Sequence, residues 1–178
     1  MQYLKYFYNK NLKIDLINKF YYTNIRELPR LKKIILNSSC KTTNIKTLAA
    51  NLLALELITN QLGRLTRARK SNILLKVRKG NPTGCKLILK KRLLFNFLSR
   101  LIIELLPKIK NFDGVVISRK IDKGSFSFTL KNILSFSELS EHYALFSDVS
   151  EINLSVVTST KTRKELVFFL NSIQVPTK

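Results

Sequence analysis

Apolar residues recur at Leu4, Phe7, Tyr8, Leu12, Leu16 and Phe20. That spacing is close to 3.6 residues and predicts an N-terminal helix over residues 1–22, docked by its aromatics. No broad apolar stripe faces a separate cationic one, which favours docking over a membrane-surface helix. Pro29 disfavours helix at Leu28, so Ile25–Pro29 reads as a connector. Leu31–Ser39 reads as a strand that ends in hydrogen-bonding groups, Asn37 and two serines. These groups suit a turn or contacts to RNA sugar and phosphate. Asn44–Thr59 is apolar almost all round, which predicts a buried helix. Asn60, Gln61 and Gly63 stop it, with Gly63 near a plausible left-handed C-terminal position.

Two strands are then predicted, Ile73–Lys79 and Cys85–Lys91, joined by a turn at Lys79–Thr83 that Gly80 and Pro82 shape. Successive strand side chains face opposite ways. One side of the pair would therefore be apolar and the other would carry Lys76, Arg78, Lys86 and Lys90. Arg92–Leu106 is an amphipathic helix with Leu94, Phe97, Leu98, Leu101 and Leu105 inward, ended by Pro107. Residues 108–150 read as a long loop region, with Lys108–Gly124 its polar connection. Ser125–Leu130 and Ile133–Phe136 are short strand candidates inside it, and Ser137–Ser150 is an acidic solvated loop. Ile152, Leu154 and Val156 alternate with Asn153, Ser155 and Val157, a half-buried strand. Thr162 and Glu165 form a capping box ahead of a last helix with Leu166, Phe169, Leu170 and Ile173 inward, and Pro176 ends it. The sum predicts a single domain over residues 1–178 of α+β class. Its antiparallel sheet has helices on one face and an open face for binding.

Composition says what that face meets. The 178 residues carry 32 Lys plus Arg against 11 Asp plus Glu, a net charge of +21. No carboxylate occurs from Leu57 to Ile103. Such an excess repels itself unless an external polyanion neutralises it, and nucleic acid is the expected partner. The chain is 45% hydrophobic, so it is no disordered basic tail. Its two cysteines and one histidine suggest a reducing compartment and offer no structural zinc spacing. The apolar run Leu93–Leu106 contains Arg100 and Glu104 and is too short to span a bilayer, so no membrane partner is expected. There is no phosphate loop, G-x-S-x-G or H-E-x-x-H. Asp113 and Asp122 flank glycines as turn residues do, and two-metal nucleases need convergent carboxylates. No enzyme, metal or cofactor is expected; an organellar RNA-processing enzyme or another basic RNA-binding protein is the alternative. The scarcity of Gly (5) and Pro (4) beside Phe (11) belongs to a skew toward A/T-rich codons. That skew suggests an organelle or an A/T-rich organism.

The segment TNIRELPRLKKIILNSS and the block from LELITNQLGRLTRARKS through VRKGNPTGCK to NFDGV resemble the universal large-subunit ribosomal protein five, the 5S-rRNA-binding family. Gln61 after the helix, Ala68–Ser71, Arg78–Lys86 and the late VVTSTKT carry the likeness, which runs nearly end to end. The resemblance implies a structural constituent of the large ribosomal subunit, set in the central protuberance with one sheet face holding 5S rRNA. It implies RNA contacts at Asn37, Gln61, Lys86 and Lys90, with Arg64, Arg67, Arg69 and Lys70 beside them. Lys76 and Arg78 join these from the strand pattern. The tip at Lys79, Gly80, Asn81 and Pro82 resembles the loop that approaches peptidyl-site tRNA. Lys108–Gly124 resembles the part that reaches a small-subunit head protein. Large-subunit rRNA and neighbouring central-protuberance proteins are further implied partners. Departures include Ile88 for a family Thr, Lys91 for a Gly, Phe136-Ser137-Glu138 for F-P-E and a missing glycine at Ser150-Glu151. With the codon skew they suit a mitochondrial-matrix ribosome; another organelle or the cytoplasm of an A/T-rich organism is the alternative.

Overall fold

Helical spacing at the N-terminus becomes α1 (Tyr3–Phe7), a wider π-helical turn (Tyr8–Leu12) and α2 (Lys13–Lys19). These come from a computed structural model describing residues 3–40, 44–74, 76–109, 114–115 and 124–177. Leu4, Tyr8, Leu12 and Leu16 are buried, and the Tyr8 hydroxyl donates to the Pro29 carbonyl at 2.8 Å. Then come β1 (Leu31–Ser39), α3 (Ile45–Thr59), β2 (Arg64–Arg67), β3 (Pro82–Leu89) and α4 (Lys91–Arg100). α4 runs on through a π turn (Leu101–Leu105) into a 3-10 turn (Leu106–Lys108) that holds Pro107. β4 (Ser125–Leu130), α5 (Ser137–Ser140), α6 (Tyr143–Phe146), β5 (Ile152–Thr158) and α7 (Arg163–Ser172) complete the order.

The strands form one sheet in the order β2-β3-β1-β5-β4. β2 and β3 pair antiparallel. The other neighbours also run oppositely: Cys40 donates to Thr83, Ser159 to Arg30 and Thr158 to Gly124 through their amides. The α+β class holds.

The chain groups into two compact units. The first is Met1–Ile34, Leu89–Phe128 and Ser155–Lys178; the second is Ile35–Ile88 and Thr129–Leu154. In the first, Leu12, Leu16, Leu94, Leu98, Leu101, Leu166 and Phe169 are buried with Leu89, Phe126 and Val156. Tyr8 meets Phe169 edge-on at 6.2 Å. Buried Val115 is tied to the C-terminus, its amide donating to the Pro176 carbonyl at 2.8 Å. In the second, Leu36, Cys85, Leu87, Leu130, Ile152 and Leu154 turn inward from the strands, and Leu48, Leu55 and Ile58 of α3 are buried with them.

Several expectations are corrected. Ile73–Lys79 is not a strand. β3 pairs instead with Arg64–Arg67, the stretch expected to be only a basic lead-in, in the register Arg64 to Lys86. Asn72 and Val77 exchange both amide bonds, closing a tight turn in which Lys76 takes φ 52°. Ile73 and Leu74 are each 93% exposed, because no partner strand reaches them. α3 stops at Asn60, one of the three residues expected to end it, which donates to the Glu56 carbonyl; the left-handed position, φ 52°, falls on Asn60 rather than on Gly63. Nor is α3 buried all round: Ile45 is 81% and Leu53 45% exposed. Ile133–Ser135 is a 3-10 turn rather than a strand. Ser137–Ser150 is not loop throughout, because burial of Leu139 and Phe146 winds it into α5 and α6. Asp113, Asp122 and most of Lys108–Gly124 lie outside the described residues.

Candidate nucleic-acid interface

The alternation of β3 builds the site within the second unit. Cys85 and Leu87 are buried, so Lys86 and Ile88 point to the other face, with the Gly84 backbone between them and the turn. The β2–β3 register sets Arg64 beside Lys86 and Thr66 beside Gly84. On the other flank the Cys40 amide donates to the Thr83 carbonyl at 3.0 Å. In an antiparallel ladder that pairing sets Asn37 opposite Lys86 and Ser39 opposite Gly84. Asn153 and Thr129 add polar groups on β5 and β4, with the Thr129 hydroxyl donating to Asn153 Oδ1 at 2.7 Å. The unit's open face thus holds two cations among amides and hydroxyls, and none of these strand positions is a carboxylate.

Gly84 keeps this face flat. A Cβ there would come within 2.5 Å of the Ser38 carbonyl oxygen and 3.1 Å of the Thr66 hydroxyl. Beneath the face, Asn51 Oδ1 accepts from the Ser38 hydroxyl at 2.7 Å and the Ser150 hydroxyl at 2.8 Å. Asn51 Nδ2 donates to the Thr47 carbonyl at 2.7 Å. This ties β1, α3 and the entry to β5 together, so Ser38 is a core residue while Asn37 and Ser39 face outward.

The other sequence-predicted residues distribute as follows. Arg67, after a register shift, comes opposite Pro82 at the end of β2. Arg69 and Lys70 are exposed where the chain leaves β2. Lys76 and Arg78 are exposed in the excursion between β2 and β3, not on the sheet, because the strand expected to carry them does not form. Lys90 lies beyond β3 as the extended N-cap of α4. Lys79 to Pro82 form the base of the excursion rather than its apex: the Gly80 amide donates to the Ala68 carbonyl and the Ala68 amide to the Asn81 carbonyl. Gln61 is half-buried, and among the described residues its Oε1 has no hydrogen-bond partner. Sequence reasoning left out Thr66, Thr129 and Asn153 as site residues, and left the two serines after Asn37 between a turn and an RNA contact. The polar alternation of β5 was a usable signal for Asn153; Thr66 was hidden by the misplaced strand.

Both cysteines are free, and the Cys85 thiol is pushed up to about 11, by burial first and then by Cys40 and Glu56. Among the described residues no group of three or more His, Cys, Asp or Glu side chains could hold a metal ion. Among them also, no helix is long and apolar enough to cross a membrane.

Residues 82–177, which begin at β3 and include Lys86, match the C-terminus of the ribosomal L5 family. Over 178 residues the chain is 38% identical to the large ribosomal subunit protein uL5m of Reclinomonas americana, covering 99% of this chain and 98% of that one. It is 37% identical to uL5c of Chara vulgaris, covering 99% and 93%, and 32% identical to uL5 of Malacoplasma penetrans, covering 95% and 90%. The chain belongs to the ribosomal L5 family. As a member of that family it is a structural, non-enzymatic protein of the large ribosomal subunit, with ribosomal RNA as its partner. The organellar relatives at 38% and 37% identity assign it to an organellar ribosome.

Proposed function

We propose that this chain holds 5S rRNA in the central protuberance of a mitochondrial large subunit, acting as one domain over residues 1–178. The observation that carries this is the convergence of Arg64, Lys86 and Asn37 on an open sheet face, without a carboxylate among the neighbouring strand positions. A-form RNA is read through shape, sugar hydroxyls and exposed loops. Arg64 and Lys86 neutralise adjacent phosphates, while Asn37, Ser39, Thr66 and Asn153 take sugar and base groups. Arg67, Arg69 and Lys70 extend the cationic track; Lys90, at the start of α4 in the first unit, meets a phosphate of its own. The orphan acceptor Gln61 Oε1 gains a donor from the RNA; a buried acceptor left unmade costs about 1–3 kcal/mol. Ile88, 37% exposed, sets an apolar contact on this face where the resembling family has a hydroxyl.

The excursion between β2 and β3, with Lys76, Arg78, Lys79, Gly80, Asn81 and Pro82, approaches peptidyl-site tRNA. The connection Lys108–Gly124 reaches a small-subunit head protein, and other central-protuberance proteins adjoin. Location in the mitochondrial matrix is supported by the codon skew and by the Reclinomonas relative.

The test is 5S rRNA binding by the full chain in a filter or mobility-shift assay. Arg64→Glu with Lys86→Glu lowers affinity about tenfold or more at moderate salt and flattens the salt slope by about 1 for each phosphate no longer paired. Unchanged affinity in a folded variant overturns the sheet-face assignment.

A further inference from the structure

The first unit carries another cationic surface, built from the end of α2 and the exposed side of α7. Lys19, Phe20, Lys164, Val167, Phe168 and Asn171 line a groove of about 710 Å³. The Phe20 and Phe168 rings meet edge-on, centroids 5.7 Å apart at 69°. Lys19 Nζ lies 4.2 Å from the Phe168 ring centroid, a cation–π contact that holds the ammonium at the groove wall. Lys164 is exposed in the first turn of α7. The Thr177 hydroxyl donates to Asn171 Oδ1 at 2.7 Å, so the amide nitrogen is the end of Asn171 left for an incoming acceptor. Among the described residues no carboxylate side chain lines this groove. The acids nearest in sequence are Asp15, one turn before Lys19, and Glu165, whose Oε2 accepts from the Lys161 and Thr162 amides.

Aromatic walls with ammonium groups at the rim fit a ligand that is flat and apolar in one part and anionic in another. A nucleotide has that division; an acidic peptide lacks the flat apolar part. Proteins that bind single-stranded nucleic acid combine these two elements, base stacking on aromatic faces and a cationic backbone track. We propose that the α2–α7 groove binds an unpaired nucleotide of ribosomal RNA. It is a contact separate from the sheet face and independent of whether that face binds 5S rRNA. The base lies against Phe168 and Val167, and Lys19 and Lys164 meet the flanking phosphates.

The test uses the full chain carrying Arg64→Glu and Lys86→Glu, so that the sheet face does not contribute. The probe is a fluorescent oligouridylate of about twelve nucleotides, a length within the site sizes of single-strand binders. Adding Lys19→Glu and Lys164→Glu weakens binding about tenfold and lowers the salt slope, as expected when two phosphates go unpaired. Phe168→Ala weakens it about fivefold or more, the scale of removing one base–aromatic stack, with the salt slope kept. Ultraviolet cross-links from the chain without groove substitutions fall within residues 14–22 or 163–177, a readout independent of whether Phe168→Ala folds. Three results overturn the proposal: no binding of the probe, equal binding by all groove variants with cross-links elsewhere, or groove variants that lose only binding to phosphatidylglycerol vesicles. Failure of the sheet-face assignment shows itself separately, as unchanged 5S rRNA binding with the groove intact.

Discussion

Lys91 shows how one residue carries strain that another at the same φ does not. Both Asn60 and Lys91 have φ 52°. At Asn60 the left-handed turn ends α3, where Asn is a natural choice. At Lys91 it lies at the junction of β3 and α4, where the family pattern has glycine. A side chain in this region costs roughly 1–2 kcal/mol. Lys91→Gly therefore raises stability by about 0.5–1 kcal/mol, after glycine's larger entropy loss is counted, as a higher midpoint in thermal melting. Cys85, 1% exposed, makes a second prediction at this scale. Burial favours the neutral thiol, so its folded pKa lies above the ordinary 9.0. That contribution to stability is present below the unfolded pKa and is lost as pH rises from about 9 to about 11. Iodoacetamide at neutral pH leaves Cys85 unmodified until denaturant is added, as peptide mass analysis will read. Ser150 is the counterpart case: where a family glycine is missing, its hydroxyl and amide both donate to Asn51 Oδ1.

At the scale of elements, local signals succeeded where a side chain bonds to its own backbone. The Thr162 capping box is present as expected: its hydroxyl accepts from the Glu165 amide, and the Glu165 carboxylate accepts from the Thr162 amide. Glu56 likewise accepts from the nearby Gly63 amide at 2.9 Å, whereas Glu104 pairs with a side chain, that of Arg100 one turn back, at 3.5 Å. The hairpin failed because alternation in Ile73–Lys79 says which residues would share a face, not which segment pairs with β3. Arg64–Arg67 wins that pairing, and the alternating segment is left as a projecting turn. The two elements respond oppositely to substitution. Ile73→Ser with Leu74→Ser leaves the melting midpoint nearly unchanged, within about 0.5 kcal/mol, because neither side chain loses burial. Thr162→Ala lowers stability by about 1 kcal/mol, the usual cost of a lost N-cap.

For the whole molecule, charge is the governing quantity. A net +21 on 178 residues opposes compaction until phosphate neutralises it. The cations are concentrated where carboxylates are missing, from Leu57 to Ile103. By contrast, the stretch 132–160 contains no Lys or Arg and holds Glu138, Glu141, Asp148 and Glu151. On the proposed reading, RNA meets the strands within Leu57–Ile103 rather than α5 and α6. The chain remains with the large subunit through a high-salt wash, as sedimentation and blotting will show. Its release there would mean that surface charge alone holds it, because screening removes exposed ion pairs first.

The sequence by itself determined the α+β class, the inward sets of β3, β5 and α7, the polyanionic character of the partner and the family. Each of these rests on periodicity, composition or a local motif, which neighbouring residues specify. Only the tertiary structure decided that Arg64 and Thr66 stand beside Lys86 and Gly84, that Lys76 and Arg78 leave the sheet, and that Lys19 reaches Phe168 of α7. Those are pairings between distant segments. They are chosen by competition for hydrogen bonds and buried area, and no single stretch of chain encodes the outcome.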